Sequence, residues 1–323
     1  YDFTVGLVAA MLRRQVSVLP HNTVRQTLRD LASDYPDATM LCGADAATGT
    51  FGRLRAGAAD DAPANGQPAT LPTLRCPAGH APIDSASIDS APIGDAPIGD
   101  APIGQAATGP HAIPSFDPDQ LVAILFTSGS TGRPQALPRR WGTIALSAQA
   151  EAERLALDPE RPCAVLGTGP AQHSYNFESA IWLPMRAGGQ LVAEHPFYPA
   201  DVFEHLARLP MPRMLVTTPV PLRAMLGSTL TPPPATIVMS ATAPLPVDLA
   251  HAAERLFDAT LVEIYGSTET GQVASRCTTR TDVWQTLPGV RLIQRGETTL
   301  AAEGHVGAPT ALSDRIALID AEH

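Results

Sequence analysis

Residues Ile124–Leu137 read I-L-F-T-S-G-S-T-G-R-P-Q-A-L, an apolar run that breaks abruptly into four hydroxyls and two glycines. The run Leu121–Phe126 has the length and composition of a buried strand. Glycines let the backbone close in on an anion, while hydroxyls and N–H groups donate to it. Thr127, Ser128, Gly129, Ser130, Thr131 and Gly132 therefore form a candidate phosphate loop. Taken alone, a Ser/Thr/Gly stretch also reads as a plain turn. It is not a Walker A loop, because the spacing is wrong and no Lys follows Gly132, nor is it a Rossmann G-x-G-x-x-G.

Downstream of Asp119, short apolar runs alternate with helix-like segments. Strands are expected at 121–126, 164–167, 190–193, 214–217, 236–239 and 260–264, with helices at 143–157, 177–187, 200–209, 221–226 and 246–257. This alternation predicts an α/β fold of layered, mixed sheets flanked by helices. A last β-rich segment runs from Gly289 to Asp320, with Gly296, Gly304 and Gly307 at its turns. Upstream, residues 2–19 read as a helix turning into a strand, and Thr23–Leu31 as a second helix.

Between Gly43 and Pro118 the character changes to Ala, Gly, Pro, Asp and Thr. Ala81–Gln105 is a five-residue repeat, APIDS-ASIDS-APIGD-APIGD-APIGQ. Pro and Gly recur too often for a helix and single Ile residues cannot build a core, so an acidic insert, disordered from about residue 55, is expected. A β-solenoid would need more apolar residues per turn; neutral repeat expansion and a functional linker are the other readings. The expected organisation is thus 1–42 and 119–323 as one domain, interrupted by the insert 43–118.

A chain of 323 residues can bury a large core, and its net charge of −10 argues against a nucleic-acid surface or an anionic membrane as partner. Arg139 and Arg140 are only a local basic spot. Cys42, Cys76, Cys163 and Cys277 lack metal or redox spacing and read as free thiols of a reducing, cytoplasmic compartment. Val5–Leu12 is too short to span a bilayer, and its basic residues follow it, unlike a signal peptide.

A second loop, Val262–Gly271, reads V-E-I-Y-G-S-T-E-T-G. Glu269 offers a hard oxygen ligand for Mg²⁺, and Tyr265 a ring for a base. The plainer reading is a helix start, with Ser267 or Thr268 as cap and Glu269 in the first turn. Glu151 and Glu153 read as a solvated helix face.

In order along the chain stand T-S-G-S-T-G-R-P from Thr127, S-A-T-A-P-L from Ser240, I-Y-G-S-T-E-T-G from Ile264 and S-D-R-I-A-L-I-D from Ser313. This series resembles the adenylate-forming superfamily of acyl-CoA synthetases, nonribosomal-peptide adenylation domains and luciferases. Finer stretches, R-R-W at Arg139, Q-H-S-Y-N-F-E-S at Gln172, P-F-Y-P-A-D at Pro196 and L-V-T-T-P-V at Leu215, resemble the acyl-AMP ligases of aryl-polyene clusters.

The resemblance implies ATP-dependent activation of a carboxylic acid, aryl or acyl, to an acyl-adenylate, followed by transfer to the thiol of coenzyme A or an acyl carrier protein. By it, Thr127 through Gly132 cradle the β- and γ-phosphates. Ser240, Ala241 and Thr242 line the adenine slot, with Tyr265 and Gly266 against the base. Thr268 contacts the α-phosphate, and Glu269, with Thr127, holds Mg²⁺. Asp314 takes the ribose hydroxyls and His173 faces the acyl carboxylate, although a surface or capping histidine is the simpler reading. Phe177 and Trp182 wall an aromatic-acid pocket, or are plain core.

Three departures stand out. Gln135 occupies the place after Pro134 where many members have Lys. The chain opens on Tyr1 without the family's first segment. It ends at His323, before the hinge and the lysine-bearing small C-terminal domain, which are expected to be absent. A truncated relative that binds nucleotide or acyl-adenylate without turnover is therefore the alternative expectation. An unrelated α/β binding domain with coincidental loops is a further one.

Overall fold

The computed structural model describes residues 2–20, 25–35, 39–44, 51–55, 73–76, 114–127, 134–192 and 196–319. The repeat 81–105 and Ser128–Gly132 of the candidate phosphate loop lie outside the described residues. The chain forms two compact units, Asp2–Ile124 and Leu125–His323, with the boundary inside one strand.

The first unit comprises α1 (Asp2–Leu12), β1 (Val16–Val18), α2 (Arg25–Asp34), β2 (Thr39–Ala44), β3 (Phe51–Arg55), β4 (Thr73–Cys76) and β5 (Leu121–Phe126), whose last residues enter the second unit. Strand order is β3-β2-β4-β1-β5. β1 is wholly buried and is the pivot: it pairs antiparallel with β4, Val18 opposite Leu74, and parallel with β5, Val18 opposite Ile124. Leu7, Ala10 and Met11 of α1 are buried with it. β3 ends where disorder was expected to begin, and β4 falls inside the stretch expected as an insert. F-G-R-L-R and T-L-R-C carry too few apolar residues to announce strands. Their order comes from pairing with neighbours, β4 with β1 and β2, and β3 with β2.

The second unit begins with β6 (Ala136–Arg140), α3 (Trp141–Arg154), β7 (Ala164–Gly167) and α4 (Ser174–Asn176). A π-helical stretch, Phe177–Trp182, continues into α5 (Leu183–Arg186), followed by β8 (Gln190–Leu191), α6 (Pro199–Arg208), β9 (Arg213–Thr217), α7 (Pro219–Leu226), β10 (Ile237–Ser240) and α8 (Val247–Phe257). It closes with β11 (Thr260–Ser267), β12 (Gly271–Arg276), β13 (Gln285–Thr286), β14 (Arg291–Arg295), β15 (Thr298–Glu303) and β16 (Gly307–Ala311).

The main sheet has the order β13-β12-β11-β10-β9-β7-β8. β8, β7, β9, β10 and β11 are parallel, and β12 and β13 extend the sheet antiparallel. A parallel sheet is covered on both faces, so its strands read as unbroken apolar runs. Residues alternate between two cores accordingly. Leu166, Leu215, Val238 and Leu261 point to α6, α7 and α8, against Phe203, Leu206, Leu222, Ala250 and Phe257. Val165, Met214, Val216, Met239, Val262 and Ile264 point the other way, against Tyr175, Ala180 and Leu183.

The helices follow their sequence signals. Pro199 and Pro219 open α6 and α7, where a missing N–H costs nothing. α8 stops at Asp258, in the left-handed conformation at φ 47°. Arg213 fastens the start of β9: its buried guanidinium donates to the carbonyls of Leu206, Leu209 and Pro234 at 2.7–2.8 Å. β14, β15 and β16 form a separate antiparallel sheet.

Candidate functional site

β7, β9, β10 and β11 end along one edge, with Gly167 beside Val216, Thr217 beside Ser240 and Ser240 beside Glu263. The crevice outside the carboxyl ends of parallel strands is where open α/β sheets bind ligands. Most of the sequence-nominated residues stand on this edge. Ser240 ends β10 fully buried, and its Oγ has no hydrogen-bond partner. Ala241 is buried, and Thr242 is exposed at φ 74°, a left-handed backbone that costs a β-branched residue on the order of 1–2 kcal/mol. His173 follows β7, exposed, at the start of α4, and its side chain makes no capping bond.

Beyond β11 the chain reverses directly into β12. Ser267 and Thr270 close the turn with paired bonds, Ser267 N to Thr270 Oγ1 and Thr270 N to Ser267 Oγ, both 3.2 Å. Ser267–Thr270 is therefore a hairpin turn and not the helix start offered as the plainer reading. The register shift at Tyr265/Gly266 brings backbones so close that a Cβ on Gly266 would lie 2.2 Å from the Gly271 carbonyl. Only glycine fits there. Thr268 is half-buried and Glu269 exposed at the tip.

Tyr265 Oη donates to Asp314 Oδ2 at 2.9 Å, joining two nominated residues that are 49 positions apart. Burial first, and then that carboxylate, push the Tyr265 phenol well above its usual range. Trp284 stands 5.7 Å from the Tyr265 ring, with the Arg276 guanidinium 4.4 Å from the Trp284 centroid. Arg276 also pairs with buried Glu263 at 2.8 Å, and Glu263 receives the Leu245 N–H and the Thr278 hydroxyl. This network ties the loop after Ser240–Thr242 to β11.

The first loop reaches the same place through β6. Thr127 N donates to Gln135 O, and Gln135 N to Thr127 Oγ1, both 3.1 Å, so the loop's two ends are fastened. β6 then delivers Arg139, whose guanidinium donates to the Thr268 carbonyl. Gln135, in the place of the family's Lys, thus serves as a backbone fastener, and Arg139 brings the nearby positive charge.

Sequence reasoning missed a buried polar cluster beneath the turn. Glu151 is not a solvated face: it is fully buried and accepts from Ser179 at 2.7 Å, while Gln272 Nε2 bonds Ser179 Oγ at 2.6 Å. Burial pushes its carboxyl up to about 8, neighbouring Glu178 adds to this, and the Ser179 and Gln272 bonds oppose it. Glu178 accepts from Ser147, Ser174 and Gln272 N. His305 Nε2 lies 2.6 Å from Gln272 O, and burial lowers its pKa. Nothing in an E-x-E spacing distinguishes a buried Glu151 from an exposed one.

Phe177 and Trp182 are buried and meet edge-to-face at 5.8 Å, and Trp182 meets Trp141 at 5.5 Å. Phe177 also borders a small cavity of about 10 Å³, shared with Arg139, Glu178 and His305. Among the described residues, no three His, Cys, Asp or Glu cluster to hold a metal. Nor is any helix there long and apolar enough to cross a membrane. Cys163 and Cys277 are free thiols, and Cys42 and Cys76 have no described side chains.

A family model described as AMP-binding enzyme matches residues 39–323. A 4-coumarate–CoA ligase of Rhodobacter capsulatus is 32 % identical over 154 residues, covering 48 % of this chain and 39 % of that protein. 4-Coumarate–CoA ligase 1 of Oryza sativa subsp. japonica is 27 % identical over 170 residues, covering 50 % of this chain and 30 % of its own length. The matches thus span well under half of these relatives. Among solved structures, E. coli MenE with a bound analogue of OSB-AMS superposes with a TM-score of 0.55 at 19 % identity, covering 68 % of this chain and 50 % of that one. At that identity the likeness is one of fold, and it agrees with the layered α/β architecture expected from the sequence.

Proposed function

The chain belongs to the AMP-binding enzyme family, and from that premise we propose that it activates a carboxylic acid with ATP, forming an acyl-adenylate for transfer to a thiol. The observation that carries this reading is the convergence at one sheet edge: Ser240–Thr242, the Tyr265–Asp314 pair and the Thr268–Glu269 turn, with Arg139 linking the turn to the first loop.

In this reading Ser240, Ala241, Thr242, Tyr265 and Gly266 hold the adenine, and the unpartnered Ser240 Oγ is a donor awaiting an acceptor. Asp314 grips the ribose and Thr268 faces the α-phosphate. Thr127, Ser128, Gly129, Ser130, Thr131 and Gly132 take the β- and γ-phosphates. Glu269 is one exposed carboxylate, which suits Mg²⁺, a cation held by one or two carboxylates plus substrate phosphates. The ion would neutralise phosphate charge, and Glu269 with Thr127 would hold it. His173 orients the acid. A carboxylate oxygen attacks the α-phosphorus, the bond to the bridging oxygen breaks, and pyrophosphate leaves. Positioning and charge neutralisation suffice, so no nucleophilic side chain is required.

The finer reading is an aryl acid and coenzyme A, with an acyl carrier protein as the other acceptor. It is supported by the likeness to 4-coumarate–CoA ligases and by the aryl-polyene-type stretches at Arg139, Gln172, Pro196 and Leu215. The test is calorimetric binding of a sulfamoyl mimic of an aryl-acyl-adenylate to this chain. Binding that is weakened by Asp314→Ala and Thr268→Ala supports the reading; a folded chain that binds nothing refutes it.

A further inference from the structure

The turn carrying Thr268 and Glu269 is gripped by side chains from three other elements. Arg139, near the end of β6, holds the Thr268 carbonyl. Glu178, in the π-helical stretch, accepts the Gln272 N–H at 3.2 Å. His305, between β15 and β16, meets the Gln272 carbonyl at 2.6 Å. A carbonyl only accepts, so Nε2 carries the proton and His305 donates. Both polar groups of the Gln272 backbone are thus taken by side chains, directly after the turn.

Glu178 is itself fixed, its Oε2 receiving Ser147 at 3.1 Å and its Oε1 receiving Ser174 at 2.9 Å. Gly271 sits at φ 69°, and a Cβ there would lie 3.1 Å from Glu178 Oε2. Backbone and carboxylate therefore pack without slack. Arg139, Glu178, Thr270, Gly271 and His305 also line the small cavity beside Phe177.

Resting on the nucleotide reading above, we propose that His305 and Glu178 are positioning residues, which hold the Gly271–Gln272 limb so that Thr268 and Glu269 present to metal-bound phosphates. His305 lies in the turn joining β15 to β16, so that hairpin is hydrogen-bonded to the segment that follows the Thr268–Glu269 turn.

The experiment measures two affinities by calorimetry: adenosine without metal, and the β,γ-imido analogue of ATP with Mg²⁺. Adenosine has no phosphate and reads the Tyr265–Asp314 end, so the difference between the two reads the turn. His305→Ala is expected to leave adenosine binding unchanged and to weaken the Mg²⁺-nucleotide about tenfold, the scale at which outer partners of a metal site act. His305→Gln, which keeps a donor, is expected to restore it, and Glu269→Ala to lose at least as much as His305→Ala. Equal loss of both affinities in His305→Ala, or no change in either, overturns the proposal. A wild-type chain that binds neither ligand overturns the nucleotide reading itself, and this inference with it.

Discussion

Glu151→Gln should make the protein more stable at neutral pH, and the gain should grow with pH. Glu151 is fully buried, with its carboxyl raised from 4.5 to about 8. Between those values the folded chain keeps a proton that the unfolded chain has lost. Stability therefore falls as pH rises from 4.5, and stops falling above about 8. At about 1.4 kcal/mol per pH unit, the loss at pH 7 is about 3 kcal/mol. Glutamine mimics the neutral, protonated acid, with a carbonyl that can accept from Ser179. It carries no proton to lose. Urea unfolding of both proteins at pH 5, 6, 7 and 8 checks this, since groups that do not interact with Glu151 cancel in the difference. The expected difference is small near pH 5, widens by about 1.4 kcal/mol per unit, and levels off above about 8. A difference that stays constant across this range would show that Glu151 is ionised in the folded state, and the reasoning would fail.

Arg213→Met should cost about 3 kcal/mol in the same assay, because one buried and two part-buried carbonyls lose their charged donor; a loss below about 1 kcal/mol would mean that those carbonyls find other partners. Thr242→Gly should relieve the left-handed strain and raise stability by about 1 kcal/mol, while weakening binding of the adenylate mimic if the strain serves the adenine slot. Unchanged stability would show that Thr242 is not strained. Tyr265→Phe removes the 2.9 Å bond to Asp314 and should weaken AMP about fivefold with little effect on unfolding, whereas unaltered affinity would remove the pair from the nucleotide site.

The parallel strands were legible because burial on both faces leaves nothing but apolar residues: Ala164–Gly167 and Leu121–Phe126 fall where the sequence puts them. β6, β12 and β13 were not, because A-L-P-R-R, G-Q-V-A-S-R and Q-T carry polar residues through the strand and owe their form to their neighbours. Ser240, Tyr265, Thr268 and Asp314 were nominated from the order of their motifs, while the Tyr265–Asp314 bond spans too much chain to be read from either. The cluster of Glu151, Glu178, Gln272 and His305 left no local trace. A carboxylate reveals its burial only through partners, and Ser179 and Gln272 arrive from other elements.

β4 and β5 lie on either side of β1, and the chain leaves β4 and enters β5 at the same end of it: Cys76 is opposite Val16, and Ala123 opposite Ser17. The two attachment points are thus two strand spacings apart, roughly 10 Å. Whatever length of chain joins them begins and finishes at fixed neighbouring posts. An insertion or deletion between Cys76 and Leu121 therefore leaves both attachment points where their pairing with β1 holds them.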